Sequence, residues 1–263
     1  MNSGRRHNAG HPLHCHNYFN LTSTYLKVGL SLISFYILML FFVSCGQSPE
    51  GQFSKTGNTK QVSQSTRSEI TYVAIGASDT FGIGTSDPYM ENWPTDLSEK
   101  LPHRVHLINL GIPGITLHDA LRLELPVAID SQPQLITIWL GVNDIADKVP
   151  ALSYTHDLDV LLSQLRFKEP SAQIMIANIP DLTLLPYFAS FNQQELQHTI
   201  TAYNQSIAQE SQQYHAILVN MSQENYNLKE HPEYISSDGL HPTDLGYLQI
   251  AELFYQTLEQ SQK

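Results

Sequence analysis

The sequence predicts an α/β protein with a doubly wound, flavodoxin-like, mostly parallel five-stranded sheet and helices on both faces. Three observations carry that prediction. From residue 69 onward, short apolar runs alternate with amphipathic helical patterns. The runs are rich in β-branched residues and show little polar alternation, as strands covered on both faces do. The connections are short, and parallel strands joined through helices wind right-handed, so repeated β-α units build one such sheet.

Ile70–Ile75 (ITYVAI) reads as the first strand. A helix then starts near Asn92 and runs to Leu101, with Pro94 early, where its missing N–H does no harm. Val105–Leu110 (VHLINL) is the second strand, followed by a helix over about Thr116 to Leu125. Leu135–Leu140 (LITIWL) is the third. The helix after it, about Tyr154 to Phe167, carries Leu158, Leu161, Leu162 and Leu165 on one stripe. Ala172–Ile176 (AQIMI) is the fourth strand, and a long helix covers about Gln193 to Tyr214. Ala216–Val219 (AILV) is the fifth. The last helix begins near Thr243 and shows Leu245, Leu248, Ile250, Leu253, Phe254 and Leu258. In such sheets function collects at the carboxyl ends of the strands.

Ahead of the sheet, residues 1–45 read as an export segment and residues 46–68 as a polar linker. Residues 28–43 (VGLSLISFYILMLFFV) carry no charge and follow Lys27. At 1.5 Å per residue they span roughly 24 Å, short of the ~30 Å hydrocarbon core. Phe42-Val43-Ser44-Cys45-Gly46 follows, which resembles the lipobox of bacterial lipoproteins, with Phe42 where leucine is usual. The resemblance implies lipidation at Cys45, attachment to the lipid bilayer and a place in the cell envelope. An uncleaved N-terminal anchor, the other reading, also puts the rest of the chain outside the cytoplasm. Cys15 and Cys45 are the two cysteines, too few and too far apart for a disulfide framework or a zinc site. The tract His7, His11, His14, Cys15, His16 has a metal-binding composition but precedes the signal, so it is read as incidental.

Charge narrows the partners. The formal net charge is −11, and residues 1–45 hold Arg5, Arg6 and Lys27 with no acid, which leaves −14 on the remainder. A surface that acidic repels phosphate backbones, so nucleic-acid binding is disfavoured. It also gives no electrostatic reason to lie on anionic lipid.

Four short segments carry residue types that a buried core would not choose. Gly76-Ala77-Ser78-Asp79-Thr80 follows the first strand and exposes Ser78 at the sheet edge. Alone, Ser78 could equally cap the next turn. No phosphate loop, G-x-G-x-x-G fingerprint or G-x-S-x-G elbow is present. Asn109-Leu110-Gly111-Ile112-Pro113-Gly114 follows the second strand. It offers a backbone N–H to a ligand oxygen, or is an ordinary Gly-Pro turn. Gly141-Val142-Asn143-Asp144 follows the third strand, where an asparagine amide can donate to a developing negative oxygen or simply shape a turn. Asp238-Gly239-Leu240-His241-Pro242 opens the last helix. A carboxylate three residues before a histidine can fold back onto the ring and fix its tautomer. Each signal is weak alone. Their order after successive strands is much less easily met by chance.

These four segments resemble the four blocks of the SGNH/GDSL hydrolases, and the resemblance covers the chain from residue 69 to 263. It implies that residues 69–263 form a serine hydrolase domain acting on esters. By that resemblance Ser78 is the nucleophile, His241 the general base and Asp238 its orienting carboxylate. The Ser78 N–H, the Gly114 N–H and the Asn143 amide form the oxyanion hole, with Gly114 matching the pattern better than Gly111. The implied mechanism needs no metal or organic cofactor. One departure stands out: the family usually has Asp directly before the serine, and this chain has Ala77. The other histidines, His103, His106, His118, His156, His198, His215 and His231, show no partner pattern and read as surface residues.

The substrate implied is an ester, a small molecule or part of the envelope. A carbohydrate O-deacetylase or acyltransferase of the same fold is a close variant. The rival of a different class is a non-catalytic lipoprotein that binds a ligand in the same cleft, and a flavodoxin-like nucleotide binder is disfavoured by the missing phosphate loops. The run Ile179–Phe188 (IPDLTLLPYF) either lines an apolar acyl pocket or packs on the core.

Overall fold

A computed structural model describes residues 68–221 and 226–263. The export segment predicted over 1–45, with Cys45, and the linker over 46–68, Ser68 apart, lie outside the described residues. Among the described residues, no helix is long and apolar enough to cross a membrane.

Five strands form one sheet: β1 (Glu69–Gly76), β2 (Arg104–Asn109), β3 (Leu135–Trp139), β4 (Gln173–Ala177) and β5 (Ile217–Val219). Their order is β2-β1-β3-β4-β5, and every pair is parallel. That is the flavodoxin-like order, with the direction of winding reversing between β1 and β3. The sheet is therefore wholly rather than mostly parallel. Each strand lies within one residue of its predicted ends, because a run buried on both faces has an unmistakable composition.

The helices are α1 (Ser78–Phe81), α2 (Trp93–Lys100), α3 (Leu117–Leu123), α4 (Leu125–Asp130), α5 (Val142–Ala146), α6 (Ala151–Lys168), α7 (Gln193–Gln213) and α8 (Asp244–Ser261). α2, α3, α7 and α8 start on side-chain caps. Asn92, Thr116, Asn192 and Thr243 each accept a backbone N–H of the turn they precede. The helix predicted from Thr116 to Leu125 breaks at Glu124 and resumes as α4. Pro126 explains the break, since proline is tolerated in a first turn but not in a helix interior. The short α1 and α5 escape prediction because a single turn carries no apolar period.

Winding places α2 and α8 on one face of the sheet and α3, α4, α6 and α7 on the other. Trp93 of α2 stacks on Phe254 of α8 with ring centroids 4.4 Å apart, and Tyr154 of α6 stacks on Tyr203 of α7 at 4.1 Å. β1 and β3 run through the core, with Val73, Ile75, Ile136 and Ile138 buried. The buried Thr137 hydroxyl pairs with the Tyr72 hydroxyl at 2.9 Å, so neither polar group is orphaned. This frame fixes where four loops meet: the carboxyl edge of β1, β2 and β3, and the segment that enters α8.

Candidate active site

The first segment is built by a sharp exit from β1. A Cβ on Gly76 would lie 2.0 Å from the Thr80 hydroxyl oxygen, so only glycine lets the chain fold back on itself there. The chain turns through the buried Ala77 and enters α1, whose first residue is Ser78. The N–H groups of a helix's first turn have no partner within the helix, so the Ser78 amide is not taken up by α1 itself. Asn109, at the end of β2, holds this turn. Its Nδ2 donates to the Thr80 carbonyl at 2.7 Å, and its Oδ1 accepts the Gly111 N–H at 2.9 Å.

The fourth segment arrives from the far end of the chain. Ser236 donates its N–H to the His241 carbonyl, and Ile235 bridges Pro242, which closes residues 235–242 into a tight loop. Inside it Asp238 Oδ1 accepts the N–H groups of Leu240 and His241 and the Ser236 hydroxyl. Asp238 Oδ2 lies 2.6 Å from His241 Nδ1. Burial alone would raise the Asp238 carboxyl, but these four hydrogen bonds outweigh it and hold the group well below the usual carboxylate range. An ionised Asp238 accepts only, so Nδ1 carries the proton and the other ring nitrogen is free to accept. That nitrogen, His241 Nε2, lies 2.9 Å from Ser78 Oγ, across a gap of 163 residues in sequence.

Two contacts set the distance between nucleophile turn and histidine loop. Gly84 has φ +107°, and a Cβ there would lie 2.3 Å from the Pro242 carbonyl oxygen and 3.0 Å from the His241 Cβ. The buried Tyr247, in the first turns of α8, donates its hydroxyl to the Ile83 carbonyl at 2.7 Å.

The second and third segments are joined through α5. Asn143 Nδ2 donates to the Ile115 carbonyl at 2.8 Å. Its neighbour Asp144 is buried, and both its oxygens lie within 3.2 Å of the Leu117 N–H. Burial raises the Asp144 carboxyl to about 6 against that hydrogen bond. The loop after β2 is thus pinned on both sides of Thr116. Gly114 sits just before the pin with φ +80° and open space around its Cα. Its N–H has no partner among the described residues, whereas the Gly111 N–H is taken by Asn109. Asn143 also lines the cavity that Ser78 and His241 open onto; Gly114 does not line it.

Of the sequence-predicted residues, Asp238, His241 and Ser78 are joined by hydrogen bonds, Asn143 lines the same cavity and Gly114 does not; sequence reasoning missed their supports. Asn109 stood inside a quoted segment with no role. Tyr247 gave no signal. Asp79 lines the same cavity, and burial raises its carboxyl to about 6 against the nearby Thr80 N–H and His241. Glu124, almost fully buried, reaches under the turn and accepts the Gly76 N–H at a long 3.4 Å. Of the remaining histidines, His231 keeps 40% of its side chain exposed while its ring stacks on Tyr234 at 4.8 Å and bonds Glu233. The other six are exposed. Among the described residues no group of three or more His, Cys, Asp or Glu side chains is arranged to hold a metal ion.

A hydroxyl in contact with a neutral imidazole, itself oriented by an ionised carboxylate, is the arrangement that makes serine a nucleophile. The comparisons with known proteins bear on the family and the fold. The model of the GDSL-like lipase/acylhydrolase family matches residues 74–248. The psychrotrophic esterase EstA from a Pseudoalteromonas species, in a structure inhibited by monoethylphosphonate, is 21% identical with a TM-score of 0.58, over 72% of this chain and 97% of that one. A lipase/acylhydrolase from Enterococcus faecalis is 16% identical with a TM-score of 0.60, over 73% and 96%. The acetyl xylan esterase AlAXEase is 17% identical with a TM-score of 0.58, over 71% and 98%. At these identities the likeness to solved structures is one of fold. A comparison with the curated proteins finds no match.

Proposed function

The chain belongs to the GDSL-like lipase/acylhydrolase family and is an ester-acting hydrolase, and from that premise we propose that it works through an acyl-enzyme on Ser78, at the cell envelope. The observation that carries the mechanism is the unbroken path from Asp238 to His241 to Ser78, at 2.6 and 2.9 Å. In the first step His241 Nε2 takes the Ser78 proton as Oγ attacks the ester carbonyl. The Ser78 and Gly114 N–H groups and the Asn143 amide hold the oxygen that becomes negative. His241 then gives its proton to the departing alcohol, and water repeats the sequence on the acyl-enzyme. Asp238 stays ionised throughout and stabilises the imidazolium. The envelope location rests on the sequence alone: the apolar run 28–43 followed by Ser44 and Cys45. With a sugar as the alcohol the same steps remove an acyl group from a carbohydrate, the chemistry named for the acetyl xylan esterase of the same fold.

A fluorophosphonate probe tests this reading, because a serine attacks phosphorus quickly only when a base is in contact and donors stabilise the charge. Stoichiometric labelling at Ser78 is expected. Ser78→Ala should abolish it and His241→Ala should slow it strongly. Asp238→Ala should slow it less, since water can partly orient the ring. A folded wild-type protein that takes no label would instead be a ligand-binding relative of the family.

A further inference from the structure

Glu124 stands where a glutamate is hard to account for. It lies at the junction of α3 and α4 and is 1% exposed. Taking a carboxyl out of water is costly, so one buried this fully needs a reason. The common reasons are missing. Its side chain does not cap α4, although the residue holds the N-cap position. Among the described residues no Lys, Arg or His forms an ion pair with it. The charge that acts on it is that of Asp79, of the same sign. What its side chain does have is the Gly76 N–H, on Oε1 at 3.4 Å, while Oε2 has no partner among the described residues.

That bond falls on the residue that launches the Ser78 turn. Gly76 ends β1, and its carbonyl is already taken by the Ile112 N–H at 3.1 Å. Thr80 is packed hard against it, with its hydroxyl oxygen 2.0 Å from where a Cβ on Gly76 would lie. Gly76 and α1 therefore move together. Asn109 grips the other end of the turn through the Thr80 carbonyl. His241 is held separately, by its own loop. If the Glu124 grip slips, Ser78 shifts against an imidazole that stays in place 2.9 Å away.

The grip suits a neutral acid. An ionised Glu124 would be a buried charge with one long N–H bond and Asp79 as its neighbour. Such a charge is relieved by moving toward water, away from Gly76. The neutral acid keeps Oε1 on the Gly76 N–H and leaves a hydroxyl rather than a charge in the buried space. Burial, and more weakly Asp79, raises the carboxyl to about 8.

We propose that Glu124 is a positioning residue for the hydrolase: as the neutral acid it holds Gly76, and through it Ser78, at the distance that His241 requires. The proposal rests on Ser78 being the nucleophile.

The test is kcat and KM on p-nitrophenyl acetate from about pH 6 to 9.5, for the full chain, Glu124→Gln and Glu124→Ala, together with fluorophosphonate labelling. The glutamine keeps an acceptor for the Gly76 N–H and cannot ionise. It should match wild-type kcat near neutral pH. Wild-type kcat should fall at least about tenfold across the alkaline end as Glu124 ionises, and the glutamine variant should stay level. Asp79 titrates lower, at about 6, and burial pushes Tyr226 and Tyr247 up, so a fall between them belongs to Glu124. Glu124→Ala should lose about ten- to a hundredfold in kcat at every pH with KM nearly unchanged, the scale of a small misplacement. The wild-type and glutamine profiles decide the matter if the alanine variant fails to fold. Superimposable profiles overturn the proposal, and so does wild-type kcat in a folded Glu124→Ala. Labelling at Ser78 in those proteins would show that the nucleophile is intact and only the role of Glu124 is wrong. A wild-type protein that takes no label removes the nucleophile, and with it anything for Glu124 to position.

Discussion

The Ser78 turn is unusual for the acids around it rather than for the serine. The family's Asp before the serine is absent, and Ala77 is buried with its carbonyl accepting the Phe81 N–H. The nearby acids come from elsewhere: Asp79, one residue after the serine, and Glu124, reaching in from the junction of α3 and α4. Glu124 accepts from Gly76, while its Oε2 has no partner among the described residues. Burial, and more weakly the charge of Asp79, raises its carboxyl to about 8 against the Gly76 hydrogen bond. The consequence for stability has a definite sign. A glutamate in the unfolded chain ionises near 4.5. Between that pH and 8 the native state binds a proton that the unfolded state does not, so stability falls as pH rises, by about 1.4 kcal/mol per unit crossed. Below 4.5 both states are protonated and the penalty disappears. Glu124→Gln copies the protonated shape and cannot ionise. Relative to wild type it should therefore gain stability steadily from pH 5 to pH 8, as read from urea unfolding midpoints. The difference between the two proteins isolates Glu124 from Asp79, Asp96 and Asp144, whose carboxyls burial raises to about 6. Parallel profiles in the two proteins would show that Glu124 is charged in the fold.

At the level of elements, the site is a matter of holding α1 against the loop that enters α8. The Asp238-to-His241 unit was legible in the sequence because both partners sit three residues apart, within one turn of chain. The devices that bring this unit to Ser78 were not, because each links distant segments: Asn109 to Thr80 over 29 residues, Glu124 to Gly76 over 48, Tyr247 to Ile83 over 164. Nothing local marks such pairs. Gly84 is the sharpest of them. Its φ of +107° is costly for any residue with a Cβ, and that Cβ would meet the Pro242 carbonyl at 2.3 Å. Something must move, and what lies next to it is His241. Gly84→Ala should therefore leave KM nearly unchanged and lower kcat by about ten- to a hundredfold, the scale of small misplacements of a reacting group. Steady-state kinetics alongside a thermal melt separates this from simple unfolding. A folded variant with wild-type kcat would mean that the loop absorbs the clash away from the histidine.

Over the whole molecule, the parallel sheet was readable almost residue by residue, since strands buried on both faces are written in composition. The break of the third helix at Glu124 was readable too, in Pro126, but an apolar pattern that continues across it reads as one helix. The topology puts the two ends of β1 to opposite uses. Gly76 delivers the chain to Ser78, while Glu69, at the other end of this eight-residue strand, receives it from the segment that includes Cys45. A strand of that length separates the two ends by roughly 25 Å. A lipid attached at Cys45 would be joined in sequence to the end of β1 away from Ser78. Location and catalysis should then separate cleanly. Cys45→Ser should abolish incorporation of a palmitate analogue and move the protein out of the membrane fraction, or trap it as a precursor. The detergent-solubilised variant should keep its wild-type kcat/KM on a short p-nitrophenyl ester. Equal labelling of wild type and variant would remove the lipoprotein reading. A large loss of kcat/KM in the solubilised variant would mean that the attachment shapes the site.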